Sequence, residues 1–451
     1  MREESKRERG VPTVSAILDD GSLVEMVFDP KEAKTSFVVA RFGEWREEAE
    51  VTLPSGIRLT PYSPRNNLLL HEVVLLPSGP EEYATEEELR REIRAFIHRY
   101  VQLSPLFEEV ASYYVLLSWL FDAFEELPYL RVQGDYGSGK SRFLLTVGSL
   151  CYKPIFASGA STVSPIFRIL DAVRGTLVID EGDFRQSDEK AEIVKILNNG
   201  NARGFPVLRS EVTASKEINP QAFAVFGPKL VATRGAFEDR ALESRCLTEE
   251  MGAGPLREDI PLNLPTAQKE EALHLRNKLL LFRFRNRDKP RDLSALADRS
   301  IEPRLAQVFA PLMSVVGEGP AEEELRSLAR RYSEELRTER GMDVEAEVLE
   351  VIRDLALSTP GGVSLRDIAL WFADRHGAEY DRKISPRWIG GIIRRRLHLR
   401  PEKSHGNFVI PVSEFPKLPR LYERYGVEVV GWTSGILGTK DESSKEAASS
   451  N

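Results

Sequence analysis

Gly134-Asp135-Tyr136-Gly137-Ser138-Gly139-Lys140-Ser141 is the stretch on which the fold turns. It fits G-x-x-x-x-G-K-[ST], and its surroundings fit as well. The apolar run Tyr129 to Val132 leads into it, and Arg142-Phe143-Leu144-Leu145-Thr146-Val147-Gly148 follows with helical character. Glycines at 134, 137 and 139 let the backbone curl so that successive N–H groups face inward, and the helix beyond adds its positive end. Such a loop, with Asp135, Tyr136 and Ser138 in it, cradles phosphate. Lys140 is placed to reach the β- and γ-phosphates of a nucleotide, and the Ser141 hydroxyl to sit on Mg²⁺. The ligands expected are ATP and Mg²⁺.

Forty positions beyond Lys140, the apolar run Thr176-Leu177-Val178-Ile179 ends in Asp180-Glu181. Carboxyl ends of strands are where open parallel sheets bind ligands. Asp180 would hold Mg²⁺ through its water shell, and Glu181 would polarise the water that attacks the γ-phosphate. An acidic pair after a strand can also simply cap the next helix. A third apolar run, Lys229-Leu230-Val231-Ala232-Thr233, ends at Arg234. Strand-like and helix-like runs alternate from Tyr129 to about Leu247, which predicts an α/β core with a parallel sheet flanked by helices.

At this point the sequence resembles the AAA+ ATPases, a P-loop family. The resemblance implies that Thr233 is the polar sensor-1 residue. Ser244-Arg245-Cys246 is similar to the triplet carrying the arginine finger of clamp-loader ATPases, and Ala241-Leu242-Glu243-Ser244-Arg245 to the matching stretch of minichromosome maintenance helicases. Arg245 is thereby the residue that reaches a neighbouring subunit's γ-phosphate, with Arg240 in reserve, and a homo-oligomer, such as a hexameric ring, is implied. Without the resemblance, the two arginines read as a solvated, salt-bridged helix face. Sensor 2, an arginine opening a helix of the small helical domain, falls on Arg304 after Pro303. Arg276, Arg283, Arg285 and Arg299 compete for that role.

Between the acidic pair and the sensor strand, Gly204 to Val212 and Gln221 to Phe226 are strand-like around a polar stretch, a β-hairpin pattern. A hairpin just before sensor 1 resembles the insertion of superfamily 3 and minichromosome maintenance helicases. It implies contact with a single DNA strand in a central channel through Lys216, supported by Arg209. Near the C-terminus, helical patterns at Val344–Leu357, Ser364–Arg375 and Ser385–Leu397 precede a turn and the strand Phe408-Val409-Ile410, and resemble a winged-helix domain. Residues 361–411 carry ten basic against five acidic side chains, on a chain whose net charge is -8. That local excess suits nucleic acid, duplex included. Arg387, Arg394 and Arg395 would face it from the third helix, and Lys403 and His405 from the wing. Winged helices also serve protein contacts.

The rest of the chain sets the frame. Five or six β-type runs, the last of them Asn67 to Leu76, fill residues 11–78 and predict a small, mostly antiparallel β-rich domain. Expected boundaries are 1–80 for that domain, 81–250 for the ATPase core with its leading helices, 251–335 for a helical lid, 343–413 for the winged helix and 414–451 for a C-terminal extension with a disordered tail. Two cysteines in 451 residues exclude a disulfide framework. The charged start is no signal peptide, and the longest apolar run, Val110 to Phe121, is too short for a membrane span. A cytoplasmic protein with no membrane partner is expected. The combined reading is an oligomeric, DNA-acting ATPase, a helicase, translocase or replication initiator. A non-translocating loader or switch, and an ATPase acting on protein, stay open beside it.

Overall fold

In the computed structural model, which describes residues 10–427 apart from 159–160, 181–187, 210–218, 238, 253–256, 290, 299, 317–318, 342–343, 360, 378–379, 381–383 and 405, the chain divides into two units between Ala329 and Arg330. The first begins with seven short strands, β1 (Val11–Thr13), β2 (Ser15–Ile17), β3 (Leu23–Asp29), β4 (Lys34–Arg41), β5 (Glu44–Glu48), β6 (Val51–Thr52) and β7 (Arg58–Pro61). β2–β3–β4–β5 form an antiparallel sheet, and β1–β7–β6 a second one in which β1 and β7 run parallel. The leucine run after Asn66 is not a strand. It is a short helix, α1 (Asn67–Leu70), because the Asn66 side chain accepts from Leu68 N at 2.9 Å and caps its first turn.

α2 (Glu86–Tyr100) and α3 (Pro105–Trp119) follow, each started by a side-chain cap: Thr85 Oγ1 accepts from Glu88 N at 3.1 Å, and Ser104 Oγ from Phe107 N at 3.2 Å. From Phe107 on, α3 is buried on every side, as a helix apolar all round must be. Next comes the core alternation: β8 (Tyr129–Gln133), α4 (Lys140–Gly148), β9 (Ile155–Ser158), α5 (Val163–Val173), β10 (Leu177–Asp180), α6 (Asp188–Asn199), a hairpin of β11 (Val207–Arg209) and β12 (Gln221–Phe223), β13 (Lys229–Thr233), α7 (Arg240–Glu243) and β14 (Cys246–Glu250). The five longer strands pair in the order β14–β8–β13–β10–β9, all parallel. β13 therefore lies between the strand that feeds the phosphate loop and the strand that ends in Asp180. α8 (Thr266–Asn286), α9 (Leu293–Leu296), α10 (Pro303–Met313) and α11 (Pro320–Gly341) complete the helical part, and α11 crosses the division between units.

Boundaries expected at 80 and 250 fall inside this first unit. Val24, Met26 and Phe37 of the N-terminal strands share one apolar cluster with Tyr129, Ile155, Leu177 and Val231 of the parallel sheet. Charge joins them too. Glu25, 2 % exposed, meets Lys153 Nζ at 2.7 Å, Tyr152 Oη at 2.7 Å and Arg283 Nε at 2.8 Å, and Arg283 forks onto Asp122 at 2.7 and 2.8 Å. Residues from β3, the η-turn after α3, the loop before β9 and α8 thus meet at one dry point.

The second unit holds α12 (Val344–Ser358), β15 (Val363–Ser364), α13 (Leu365–His376), α14 (Pro386–Arg395), β16 (Glu402–Ser404), β17 (Asn407–Ile410) and α15 (Leu418–Tyr425). The strands form an antiparallel sheet in the order β15–β17–β16. Its core runs from Val348 and Ile352 through Ile368, Phe372, Ile389 and Ile393 to Ile410. Phe415, Leu418, Tyr422 and Tyr425 belong to the same core. Residues 414–427 are accordingly an integral part of this unit instead of an appended tail, because their apolar side chains recur at helical spacing and close its open face.

Removing one partner from a buried ion cluster leaves a charge unpaired, so Glu25→Gln should cost about 3–5 kcal/mol, read as a lower urea midpoint. Burial alone would push the Asp122 carboxyl up, but the Arg283 guanidinium outweighs it and holds it well below the usual carboxylate range. Its contribution is complete above about pH 4 and is lost as pH falls toward the folded value. The stability gap between wild type and Asp122→Asn should therefore narrow on acidification below about pH 4.

Candidate nucleotide site

Three strand ends meet at the carboxyl edge of the parallel sheet. β8 runs into the loop 134–139, β10 ends at Asp180 opposite Ser158, and β13 between them ends at Thr233 opposite Gln133. Gly134 N donates to Thr233 O at 3.2 Å, which ties the mouth of the loop to the middle strand. A Cβ at Gly134 would lie 2.6 Å from Met251 O and 2.8 Å from Ser138 Oγ, so the close approach admits only glycine. Gly139 caps α4 at φ +95°, a conformation that side chains resist. Met251 and Gly252, just past β14, lean over the loop: Met251 N donates to Gln133 O at 2.7 Å.

Lys140, at the start of α4, turns back over this loop and donates to Gly134 O at 2.6 Å and Asp135 O at 2.7 Å. Ser141 is exposed in the same first turn. Two buried hydroxyls at this edge, Ser138 Oγ and Thr233 Oγ1, have no hydrogen-bond partner among the described residues. Buried polar atoms are normally satisfied, so these two hydroxyls are open to water, an ion or a ligand. Inward-curled backbone, an ammonium, an exposed serine hydroxyl, a strand-end aspartate and two unsatisfied hydroxyls fit a nucleotide triphosphate with Mg²⁺. Glu181 lies outside the described residues.

Arg245 stands at the opposite edge. Its carbonyl accepts from Tyr129 N at 2.8 Å, at the amino end of β8, and Cys246 begins β14 in register with Tyr129. Five strand residues, roughly 16 Å, separate it from its own phosphate loop. Its guanidinium donates to Asn198 Oδ1 at the end of α6. The Asn198 amide also donates to Asp239 at 2.6 Å, which lowers the Asp239 carboxyl, and Asp239 in turn accepts from Ala241 N at 2.9 Å and caps α7. Glu243, held by Arg131 at 2.7 Å, fixes the other end of that turn. The stretch 239–245 is thus pinned at three points.

Other expectations fare unevenly. β11 and β12 do pair antiparallel, Val207 with Phe223 and Arg209 with Gln221, but Lys216 lies outside the described residues. Arg209, expected beside a DNA strand, instead forks onto Glu192 at 2.5 and 3.2 Å and covers the Phe167 ring at 4.9 Å. Of the rivals for sensor 2, Arg276 is buried on Ser149 O at 2.8 Å, Arg283 belongs to the ion cluster, and Arg285 holds Glu82 at 2.9 Å. Arg304 is the second residue of α10, and its side chain lies outside the described atoms. In the second unit Arg387, Arg394 and Arg395 are exposed on α14 and Lys403 on β16, while His405 lies outside the described residues.

Sequence reasoning passed over Arg234. Its guanidinium lies 4.0 Å from the centre of the Tyr136 ring, above the phosphate loop. Its one sequence signal is that it directly follows Thr233 at the end of an apolar strand. Asn198, which links α6 to Arg245, carried no local signal at all. Among the described residues no helix is long and apolar enough to cross a membrane, and no cluster of three metal-ligating side chains occurs.

No family model matches the sequence, and no curated protein does. In shape the chain is similar to the C-terminal region of NrS-1, at 11 % identity and a TM-score of 0.36 over 86 % of this chain and 96 % of that one. It is similar to SCCmec type IV Cch, described as an active helicase, at 12 % and 0.38 over 85 % and 79 %. A full-length MCM homolog from Methanopyrus kandleri gives 13 % and 0.36 over 67 % and 69 %. Likeness this loose carries no functional argument, and the reading of the site rests on this chain's own residues.

Two substitutions test that reading. Lys140→Ala should abolish ATP binding in calorimetry while leaving the melting temperature near that of wild type. Thr233→Val is nearly isosteric and removes an unpartnered buried hydroxyl, so stability should hold or rise by up to about 1 kcal/mol. If the hydroxyl belongs to the site, steady-state turnover falls at least about tenfold all the same.

Proposed function

We propose that this chain is an oligomeric AAA+ ATPase that acts on DNA as a helicase, translocase or initiator and hydrolyses ATP at the interfaces between its copies. One observation carries the proposal: the phosphate loop, Asp180 and Thr233 share one edge of the sheet, whereas Arg245 is pinned at the other. An arginine there is too far from its own loop to assist it, and in this reading it exchanges its bond to Asn198 for the γ-phosphate on the loop of a second copy.

In this reading the loop 134–139 binds the phosphates through backbone N–H groups, and Lys140 leaves its two carbonyls for the β- and γ-oxygens. Ser141 and Asp180 would hold Mg²⁺, which supplies charge neutralisation on those oxygens. Glu181 accepts a proton from the attacking water, and Thr233 orients that water from the middle strand. Arg245 of the neighbouring copy and Arg304 of the helical segment stabilise the charge on the γ-phosphate. The polar segment between β11 and β12, with Lys216, would meet a single DNA strand. The second unit would add contacts through Arg387, Arg394, Arg395, Lys403 and His405.

The test is turnover against protein concentration, with and without single-stranded DNA, and with Arg245→Ala mixed into wild type. Turnover should rise cooperatively with concentration and again with DNA. Excess Arg245→Ala should lower the activity of each wild-type copy. Turnover indifferent to DNA would move the substrate to protein, and mixing without effect would remove action between subunits.

A further inference from the structure

In the second unit a cleft of about 500 Å³ opens between the starts of α13 and α14 and the β16–β17 hairpin. Its size falls in the roughly 300–1,000 Å³ range of ligand sites. Arg366, Arg387 and Arg394 line it together with Asn407 and Phe408. None of the three arginines meets a carboxylate among the described residues. Elsewhere in the same unit Arg353 and Arg375 share Asp354 at 2.9 and 2.6 Å, Arg396 holds Glu345 at 3.0 Å, and Lys417 holds Glu414 at 2.6 Å. The cleft thus gathers three guanidinium groups that no described carboxylate pairs, whereas several of the unit's other cations are paired.

The placement of two of them makes that omission costly. Arg366 is the second residue of α13 and Arg387 the second of α14. A cation in the first turn of a helix opposes the helix dipole; Asp367 offsets this on α13, whereas the first turn of α14 holds no acidic residue, and Arg394 adds a third like charge at the cavity. An anion in the cleft relieves the mutual repulsion of the three guanidinium groups and the dipole's opposition to Arg387. Phe408 adds a second chemistry. By strand alternation it shares the face of Ile410, which is fully buried, yet Phe408 is 49 % exposed, so the apolar face of β17 runs past the edge of the core. Arg394 lies over its ring at 5.9 Å, so ring and guanidinium border the same space.

We infer that this cleft binds one unstacked nucleotide of a single nucleic-acid strand, its flanking phosphate on Arg366, Arg387 and Arg394 and its base against Phe408. The inference rests on the reading of the chain as a DNA-acting ATPase. A duplex presents a convex phosphate ridge and keeps its bases stacked, which suits projecting cations. A concave site with a half-exposed ring suits a base already free of its stack. Recognition by ring face and phosphate is indifferent to base identity, so the site should accept any sequence.

The test uses the full chain without ATP, a fluorescein-labelled oligothymidylate, and a duplex of the same length. Phe408→Ala should weaken single-strand binding about tenfold and leave duplex binding unchanged, as expected for one lost base–aromatic stack. Phe408→Trp should restore it. Arg387→Gln should lower the slope of log affinity against log salt by about 0.7, one phosphate contact on a single strand. A bromodeoxyuridine-substituted strand irradiated on the protein should cross-link to Phe408, mapped by mass spectrometry. Equal losses on strand and duplex, a Phe408→Ala variant that binds as wild type, or polyglutamate competing as well as oligothymidylate at equal charge would each overturn the inference. Turnover distinguishes the two proposals. A Phe408 cross-link with ATP hydrolysis indifferent to DNA preserves the cleft and defeats the proposed function. DNA-stimulated hydrolysis with no Phe408 effect does the reverse.

Discussion

Everything at the nucleotide edge depends on one insertion: β13 pairs with β8 on one side and β10 on the other. The chain leaves β8 through α4 toward β9 at the far edge of the sheet, and leaves β13 through α7 toward β14 at the opposite edge. Adjacent strands whose connections depart in opposite directions open a crevice at their carboxyl ends, where open α/β sheets take ligands. The glycine-rich loop 134–139 forms one lip of that crevice and Thr233 the other. Had β13 been added outside β9, the loop and Asp180 would be neighbours with no polar side chain between them. The same order sends β14 to the outside of β8, which carries Arg245 to the amino edge. Loop and arginine are separated by the length of a strand, and no rotamer of a single arginine spans that gap and the sheet edge together.

The sheet is held in this arrangement by a charged joint as well as by apolar packing. Glu25, Lys153, Arg283 and Asp122 bring two negative and two positive charges into a site 14 % exposed at most. Burying four ions costs more than any one pair returns, so the cluster is poor evidence for extra stability. Its value is geometric. Apolar residues at these positions would let β3 slide against α8, whereas a forked guanidinium between two carboxylates accepts one register. N-terminal strands, parallel sheet and α8 are thus joined by buried charge as well as by one apolar cluster.

The features legible in the sequence were those that lie within a few consecutive residues. The glycine-rich loop between strand and helix, the strand that ends in Asp180 and the parallel alternation announce themselves locally, because each needs only adjacent residues or a fixed period. The order of strands does not, since it is set by which apolar faces meet across more than a hundred residues. Leu68-Leu69-Leu70 reads as a strand by composition, and one side-chain cap on Asn66 turns it into a helix. Pro416 and Pro419 disguise the spacing of Phe415, Leu418, Tyr422 and Tyr425, so the sequence does not announce α15. Arg209 shows the limit for charges: a basic residue in a hairpin suggests a nucleic-acid contact until its carboxylate partner on another element is known.

Partnered and unpartnered arginines also separate what the net charge conceals. Across the first unit Arg90, Arg131, Arg209, Arg283 and Arg285 each hold a carboxylate within 3 Å, so these cations project little field. A total of -8 then repels a polyanion from most approaches at long range. Screening confines that repulsion to about 8 Å at physiological ionic strength, the distance over which an unpaired cluster also acts. An anion thus feels net attraction only where cations lack partners. Charge balance over the whole chain and charge segregation within it do different work: the first suppresses indiscriminate binding, and the second decides the point and orientation of first contact.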